Sequence, residues 1–169
     1  MATYIEAPPT PALANATFAA LLRAISDNGG RLNTGILTTK WLMELLSARG
    51  RSDVALSLVL QTAFPSWGHM LEHGATTIWE HWDAYDNPSG AAMNSHNHPA
   101  LSSVGAWLYR WLAGIRLGGY GTGYQEVLFG PSIVDAPSVS ALGAGVASSP
   151  GPVRVDWSFH ASTQTLVLV

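Results

Sequence analysis

The chain has 169 residues, 47% of them apolar and only 11% charged, which is enough apolar material for one domain, or one and part of another, and excludes general disorder. Charge this far below the roughly 25% usual in soluble domains, with 17 Gly, 10 Pro and 7 Trp, implies a neutral, aromatic and loop-rich surface suited to a piece that packs against something. A net charge of −3 without a basic stripe argues against nucleic acid and anionic membranes, the absence of cysteine excludes disulfides and thiolate-metal sites, and no apolar run reaches the ~20 residues of a membrane helix.

The first ten residues carry Glu6, Pro8 and Pro9 in place of a cationic start and an apolar run, so no secretory signal is read there. Phe18, Leu21, Leu22 and Ile25 then fall on one helical face, and Asn28-Gly29-Gly30 supplies a stop. A second helix is predicted from Ile36 through Trp41, Leu42, Leu45 and Leu46, with Asn33 or Thr34 as cap and Gly50 just past its end. A third runs from Ser52, with Asp53 in its first turn, to about Thr62, before Pro65. Residues 65 to 97 are punctuated by Pro65, Gly68, Gly74, Pro88 and Gly90 yet rich in aromatics, with Trp67, Trp79, Trp82 and Tyr85; they read as an ordered functional loop. Pro99 opens a fourth helix, 99 to 115, with Leu101, Val104, Leu108, Trp111, Leu112 and Ile115 at helical spacing.

Past Gly118 the composition turns to glycine and short apolar runs. Tyr124 to Phe129 reads as a strand, Val153, Val155 and Trp157 alternate with Arg154, Asp156 and Ser158, and the last strand is Leu166 to Val169. The glycines at 118 to 123 lack the Lys-Ser/Thr ending of a phosphate loop and lead into a strand, which argues against nucleotide binding. The fold class expected is helical hairpins followed by a small β region, with a boundary near 116 to 120.

Charge placement is the most informative feature, because no Lys or Arg occurs between Arg51 and Arg110. That span holds Glu72, Glu80, Asp83, Asp86, five of the six histidines (His69, His73, His81, His96 and His98) and most of the tryptophans. An anionic substrate would find no cationic partner there. A neutral ligand with hydroxyls fits better, since carboxylates and imidazoles hydrogen-bond hydroxyls while tryptophan faces cover the apolar side of a ring. Sugar is the natural inference. The tightest cluster, Trp79-Glu80-His81-Trp82-Asp83, sets one carboxylate between two tryptophans. It suits a proton-transferring carboxyl group, and equally an ordinary core in which Glu80 pairs with a buried donor.

Histidine spacing raises a metal enzyme as a further reading, since His69 and His73 are four apart and His96 and His98 two apart. Gly68 and Gly74 argue against a helix under the first pair, and neither pair has the zinc-protease glutamate. Hydrogen-bonding histidines are preferred, and neither metal nor cofactor is expected.

Four stretches, GGRLNTGILTTKWLMELLSARGRSDVA (29 to 55), TAFPSWGHML (62 to 71), GATTIWEHWDA (74 to 84) and NSHNHPALSSVGAWLYRWLAGI (94 to 115), resemble the bacterial-type α-L-rhamnosidases, family 78 of the glycoside hydrolases. The order and spacing are also the family's. The resemblance implies that residues 1–117 form the C-terminal part of an (α/α)6 barrel of six helical hairpins, and that 118–169 belong to a C-terminal β-sandwich domain. It implies inverting hydrolysis of terminal α-L-rhamnose, with Glu80 as general base, His98 contacting the sugar, and Trp79 and Trp82 beside it. His81 stands where the family more often carries Arg, and the loop from Tyr85 to Met93 looks shortened.

The family's general acid lies in an upstream acidic motif, and between Met1 and Asn28 only Glu6 and Asp27 carry carboxylates. The chain is therefore expected to be a C-terminal portion of such an enzyme without the acid. Its expected partners are an L-rhamnose-containing glycoside and either the remainder of the enzyme or a second copy. The alternative is a non-catalytic carbohydrate-binding or assembly piece derived from such an enzyme.

Overall fold

The computed structural model describes residues 10–84, 94–119, 123–134, 139–160 and 165–168. The chain divides into two compact units, Met1–Val104 and Gly105–Val169. The expectations for Glu6 and for the Tyr85 to Met93 loop fall outside the described residues.

The first unit is built from short helices. Helix α1 (Pro11–Asp27) starts seven residues before the first periodic apolar residue: Thr10 caps it by accepting a hydrogen bond from Leu13 N at 3.2 Å, and Pro11 supplies a preset first-turn φ. None of its residues is fully buried. Helix α2 (Thr39–Ala48) buries Leu42, Met43, Leu45 and Leu46, together with Thr39, Glu44 and Ser47, and is the unit's central element. It begins three residues later than predicted. Its N-cap residue is Thr38, without a side-chain cap bond; Thr34, one of the predicted caps, instead pairs its hydroxyl with Thr39 Oγ1 at 3.0 Å, and Thr39 Oγ1 donates to Gly35 O at 2.8 Å. At its far end Arg51 N donates to Leu46 O at 2.8 Å and turns the chain into α3 (Ser52–Val59). Helix α3 stops short of the predicted Thr62, and Ala55, Leu56 and Leu58 are buried.

Helix α4 (Trp67–Glu72) corrects the reading that Gly68 precludes a helix beneath His69 and His73. Ser66 caps it by accepting from His69 N at 2.9 Å. A Cβ at position 68 would lie 2.3 Å from Gln61 O, so this glycine serves close approach of two backbone segments and not a turn. Trp67 is buried, donates from Nε1 to Leu101 O at 3.0 Å, and meets the Trp82 ring edge-on at 5.2 Å.

The predicted helix 99 to 115 is three pieces: a 3₁₀ turn Ala100–Ser102, helix α5 (Ser103–Trp107) and a π-turn Leu108–Leu112, closed by Ala113 N donating to Leu108 O at 2.8 Å. Ile115 continues the helical spacing but opens strand β1 (Ile115–Leu117). The chain turns at Gly114, where φ is +78° and a Cβ would stand 2.2 Å from Pro131 N.

In the second unit β1 pairs antiparallel with β2 (Val127–Phe129), and β3 (Ala141–Ser148), β4 (Gly151–His160) and β5 (Thr165–Leu168) form an antiparallel sheet in that order. The alternation read at 153 to 158 holds, with Val155 and Trp157 buried and Arg154 exposed. Ala113, Ile115 and Val155 make one core against which Val127, Leu142, Ala144 and Val146 pack, so both sheets contribute to it. Trp157 Nε1 donates to Leu112 O at 3.0 Å. Among the described residues, no helix is long and apolar enough to cross a membrane.

Candidate functional site

Two segments outside helices and strands, 77–80 and 95–98, are tied to each other in the first unit. Glu80 N donates to Ser95 O and His98 N donates to Ile78 O, each at 2.8 Å. The Thr77 hydroxyl adds a third tie, to His96 O. These bonds bring the backbones bearing Glu80 and His98 side by side, although 17 residues separate them in sequence.

Glu80 also anchors itself. Its side chain is 10% exposed, and Oε2 accepts from Ser95 N at 3.0 Å. A backbone N–H directed at a carboxylate oxygen is a charge-assisted bond that fixes the carboxyl plane. Its other oxygen, Oε1, lies 3.9 Å from His81 Nε2, on an imidazole that is 49% exposed. Glu80 thus has one oxygen tethered to a main-chain amide and the other beside a half-exposed imidazole, and a carboxylate oriented in this way can act as a proton acceptor.

His98 has an assigned tautomer. Ala100 N donates to its Nδ1 at 3.2 Å, so Nδ1 accepts and, in the neutral ring, Nε2 carries the proton. The half-buried imidazole is therefore a donor suited to a hydroxyl oxygen. The Ser95 hydroxyl steadies the same segment, accepting from Asn97 N and donating to Asn97 O, both at 3.1 Å.

Two tryptophans pack around these segments. Trp79 is 3% exposed and stacks on His96, with ring centroids 5.2 Å apart and planes 27° apart. Trp82 is partly buried, donates from Nε1 to Thr34 O at 2.8 Å, and so brings the turn before α2 against the same segment. His69 lies in α4 and His73 is its C-cap residue, and their rings pack at a tilt of 46° with centroids 4.0 Å apart.

Sequence reasoning did not single out Ser95 or Thr77, and it named Thr34 only as a candidate helix cap. Ser95 and Thr34 contribute main-chain groups that any residue carries, so only the fold reveals them. The Thr-Thr pair at 76 and 77 lay within a quoted stretch, without a role for its hydroxyls.

Residues 1–112 match the family model described as the bacterial α-L-rhamnosidase 6 hairpin glycosidase domain. An α-L-rhamnosidase of Streptomyces avermitilis is 39% identical over 149 residues, covering 86% of this chain and 14% of the relative. One from Formosa agariphila is 36% identical over 152 residues, covering 88% and 16%. Among solved structures, the Streptomyces avermitilis α-L-rhamnosidase complexed with L-rhamnose superposes with a TM-score of 0.81 at 37% identity, over 94% of this chain and 15% of that one. The native Aspergillus terreus enzyme gives 0.82 at 27% identity, over 93% and 18%. The chain therefore spans about one-seventh of the length of these curated relatives.

Proposed function

The chain belongs to the bacterial α-L-rhamnosidase 6 hairpin glycosidase domain family, and from that premise we propose that it supplies the water-activating half of a glycosidase site acting on terminal α-L-rhamnosides with inversion. The observation that carries this reading is Glu80, a nearly buried carboxylate with Oε2 held by the Ser95 amide and Oε1 3.9 Å from the half-exposed imidazole of His81. In the reaction, Glu80 takes a proton from water as the water oxygen bonds to the anomeric carbon, while an acid on the opposite face protonates the departing glycosidic oxygen. Inversion requires the two carboxyl groups to lie about 6.5–9.5 Å apart, leaving room for that water. The acid is assigned to polypeptide other than the segments described above.

His98 donates from Nε2 to a rhamnose hydroxyl, and the partly buried Trp82 makes the apolar wall against which the sugar's C–H face and methyl group settle, while Trp79, 3% exposed and stacked on His96, braces the segment that carries His98. The helices of residues 1–117 take their place in an (α/α)6 barrel and the strands of 118–169 in a β-sandwich domain. The absence of Lys and Arg between Arg51 and Arg110 fits an uncharged sugar.

An exchange protein tests the reading: the Streptomyces avermitilis relative with its matching segment replaced by this chain, assayed on an aryl α-L-rhamnoside. Hydrolysis that falls roughly 10²–10⁴-fold in kcat with Glu80→Gln, with β-L-rhamnose as the first product by NMR, supports the proposal. A Glu80→Gln variant within threefold of its parent, or a folded exchange protein that is inactive with Glu80 present, overturns it.

A further inference from the structure

The two oxygens of Glu80 are not equivalent, and the difference assigns a role to its neighbour. Oε2 is occupied by the Ser95 amide at 3.0 Å. Oε1 faces His81 Nε2 at 3.9 Å, which is too long for a direct hydrogen bond. A water at about 2.8 Å from both atoms spans that separation with roughly a 90° angle at its oxygen.

We infer that His81 holds the attacking water against Glu80 Oε1. The inference rests on the reading of Glu80 as general base. With Nε2 protonated, the imidazole donates to one lone pair of the water, and the water donates one hydrogen to Oε1. The second lone pair is left for the anomeric carbon. On attack the water oxygen forms the new C–O bond, its hydrogen passes to Oε1, the glycosidic C–O bond breaks, and the leaving oxygen takes the acid's proton. His81 neither gives nor keeps a proton in this step; it fixes the direction of the lone pair.

The test uses the full chain in the exchange protein described above, comparing His81→Leu with His81→Gln, whose amide nitrogen reaches about where Nε2 stands and donates without titrating. His81→Leu is expected to lower kcat roughly 10–100-fold with KM within threefold, the size expected when a reacting atom is misplaced by about an ångström. His81→Gln is expected to recover most of that loss. Wild-type kcat in His81→Leu overturns the inference, as does an equal loss in both variants. A rise in KM with kcat unchanged also overturns it, in favour of sugar binding. If Glu80→Gln is itself silent, the general-base reading fails; if Glu80→Gln is inactive and His81→Leu is not, this inference fails alone. Thermal midpoints within two or three degrees of the parent keep the kinetic differences attributable to the site.

Discussion

The segment pair 77–80 and 95–98 and the sheet of β3, β4 and β5 both rely on main-chain hydrogen bonds, yet they depend on side chains in opposite ways. In the sheet, pairing runs from Ala141 opposite Ser158 to Ser148 opposite Gly151, and side chains decide only which face is buried. In the site, two main-chain bonds are supplemented by the Thr77 hydroxyl and by the Glu80 carboxylate itself. The Glu80 carboxylate is thus part of what holds its own loop in place. Substitutions in the sheet should register as stability, whereas substitutions in the site should register as activity, unless they remove a tie.

The largest effect separates those two roles at one residue. Glu80→Gln keeps an oxygen for the Ser95 amide, so the roughly 10²–10⁴-fold loss of kcat should come with little change in melting temperature. Glu80→Ala removes the tie as well, and should lose a further ~0.5–1.5 kcal/mol of stability, the usual net contribution of one hydrogen bond, because Ser95 is exposed and water can reach its freed amide. Calorimetry of both variants decides this: equal melting temperatures would show that the Ser95 bond contributes nothing.

Next in size is Gly114→Ala, in the second unit. The new methyl group meets the Pro131 backbone at 2.2 Å, and φ of +78° disfavours any side chain. A loss of about 2–4 kcal/mol is expected from the two effects together, read from urea unfolding; a loss below ~0.5 kcal/mol, the range of unremarkable surface changes, would discard the steric account.

Trp157→Phe should cost less, about 1–3 kcal/mol, because it preserves most of the apolar ring while leaving Leu112 O without its donor. Rhamnoside hydrolysis by the exchange protein should be unchanged within twofold. An activity loss without a stability loss would break the division between the two regions.

The smallest effect is electrostatic. The Arg51 side chain hydrogen-bonds Asp53, with contacts as short as 2.8 Å, and holds its carboxyl below the usual range. A lowered folded-state value stabilises above the ordinary carboxyl pKa of about 3.9, and that stability is lost as pH falls through the folded value. The pair is exposed, so Asp53→Asn should cost only ~0.2–1 kcal/mol at pH 7, and the difference should vanish as pH falls below the lowered folded value. A difference that persists there would point to packing.

Much of this was legible in the residues. The faces of α1 and α2 followed from apolar spacing, the start of α3 from Ser52 with Asp53 in the first turn, and the alternation in β4 from its own sequence. The family was readable from four quoted stretches. Local signals failed where a distant backbone was decisive: Gly68 looked like a breaker, but it admits Gln61 O beside a helix. Residues 99 to 115 read as one helix, but the pairing of β1 with β2 claims Ile115.

For the site, composition reached an uncharged, hydroxyl-bearing ligand and a carboxylate among tryptophans, because residue types carry those preferences wherever they lie. Which oxygen of Glu80 is tethered, which nitrogen of His98 carries the proton, and which ring stacks on Trp79 were settled by folding. Two of those answers come from the backbone amides of Ser95 and Ala100, groups that every residue but proline possesses, and the third from a ring brought across from residue 96. Only the tertiary path of the chain chooses which of them meets the functional side chain.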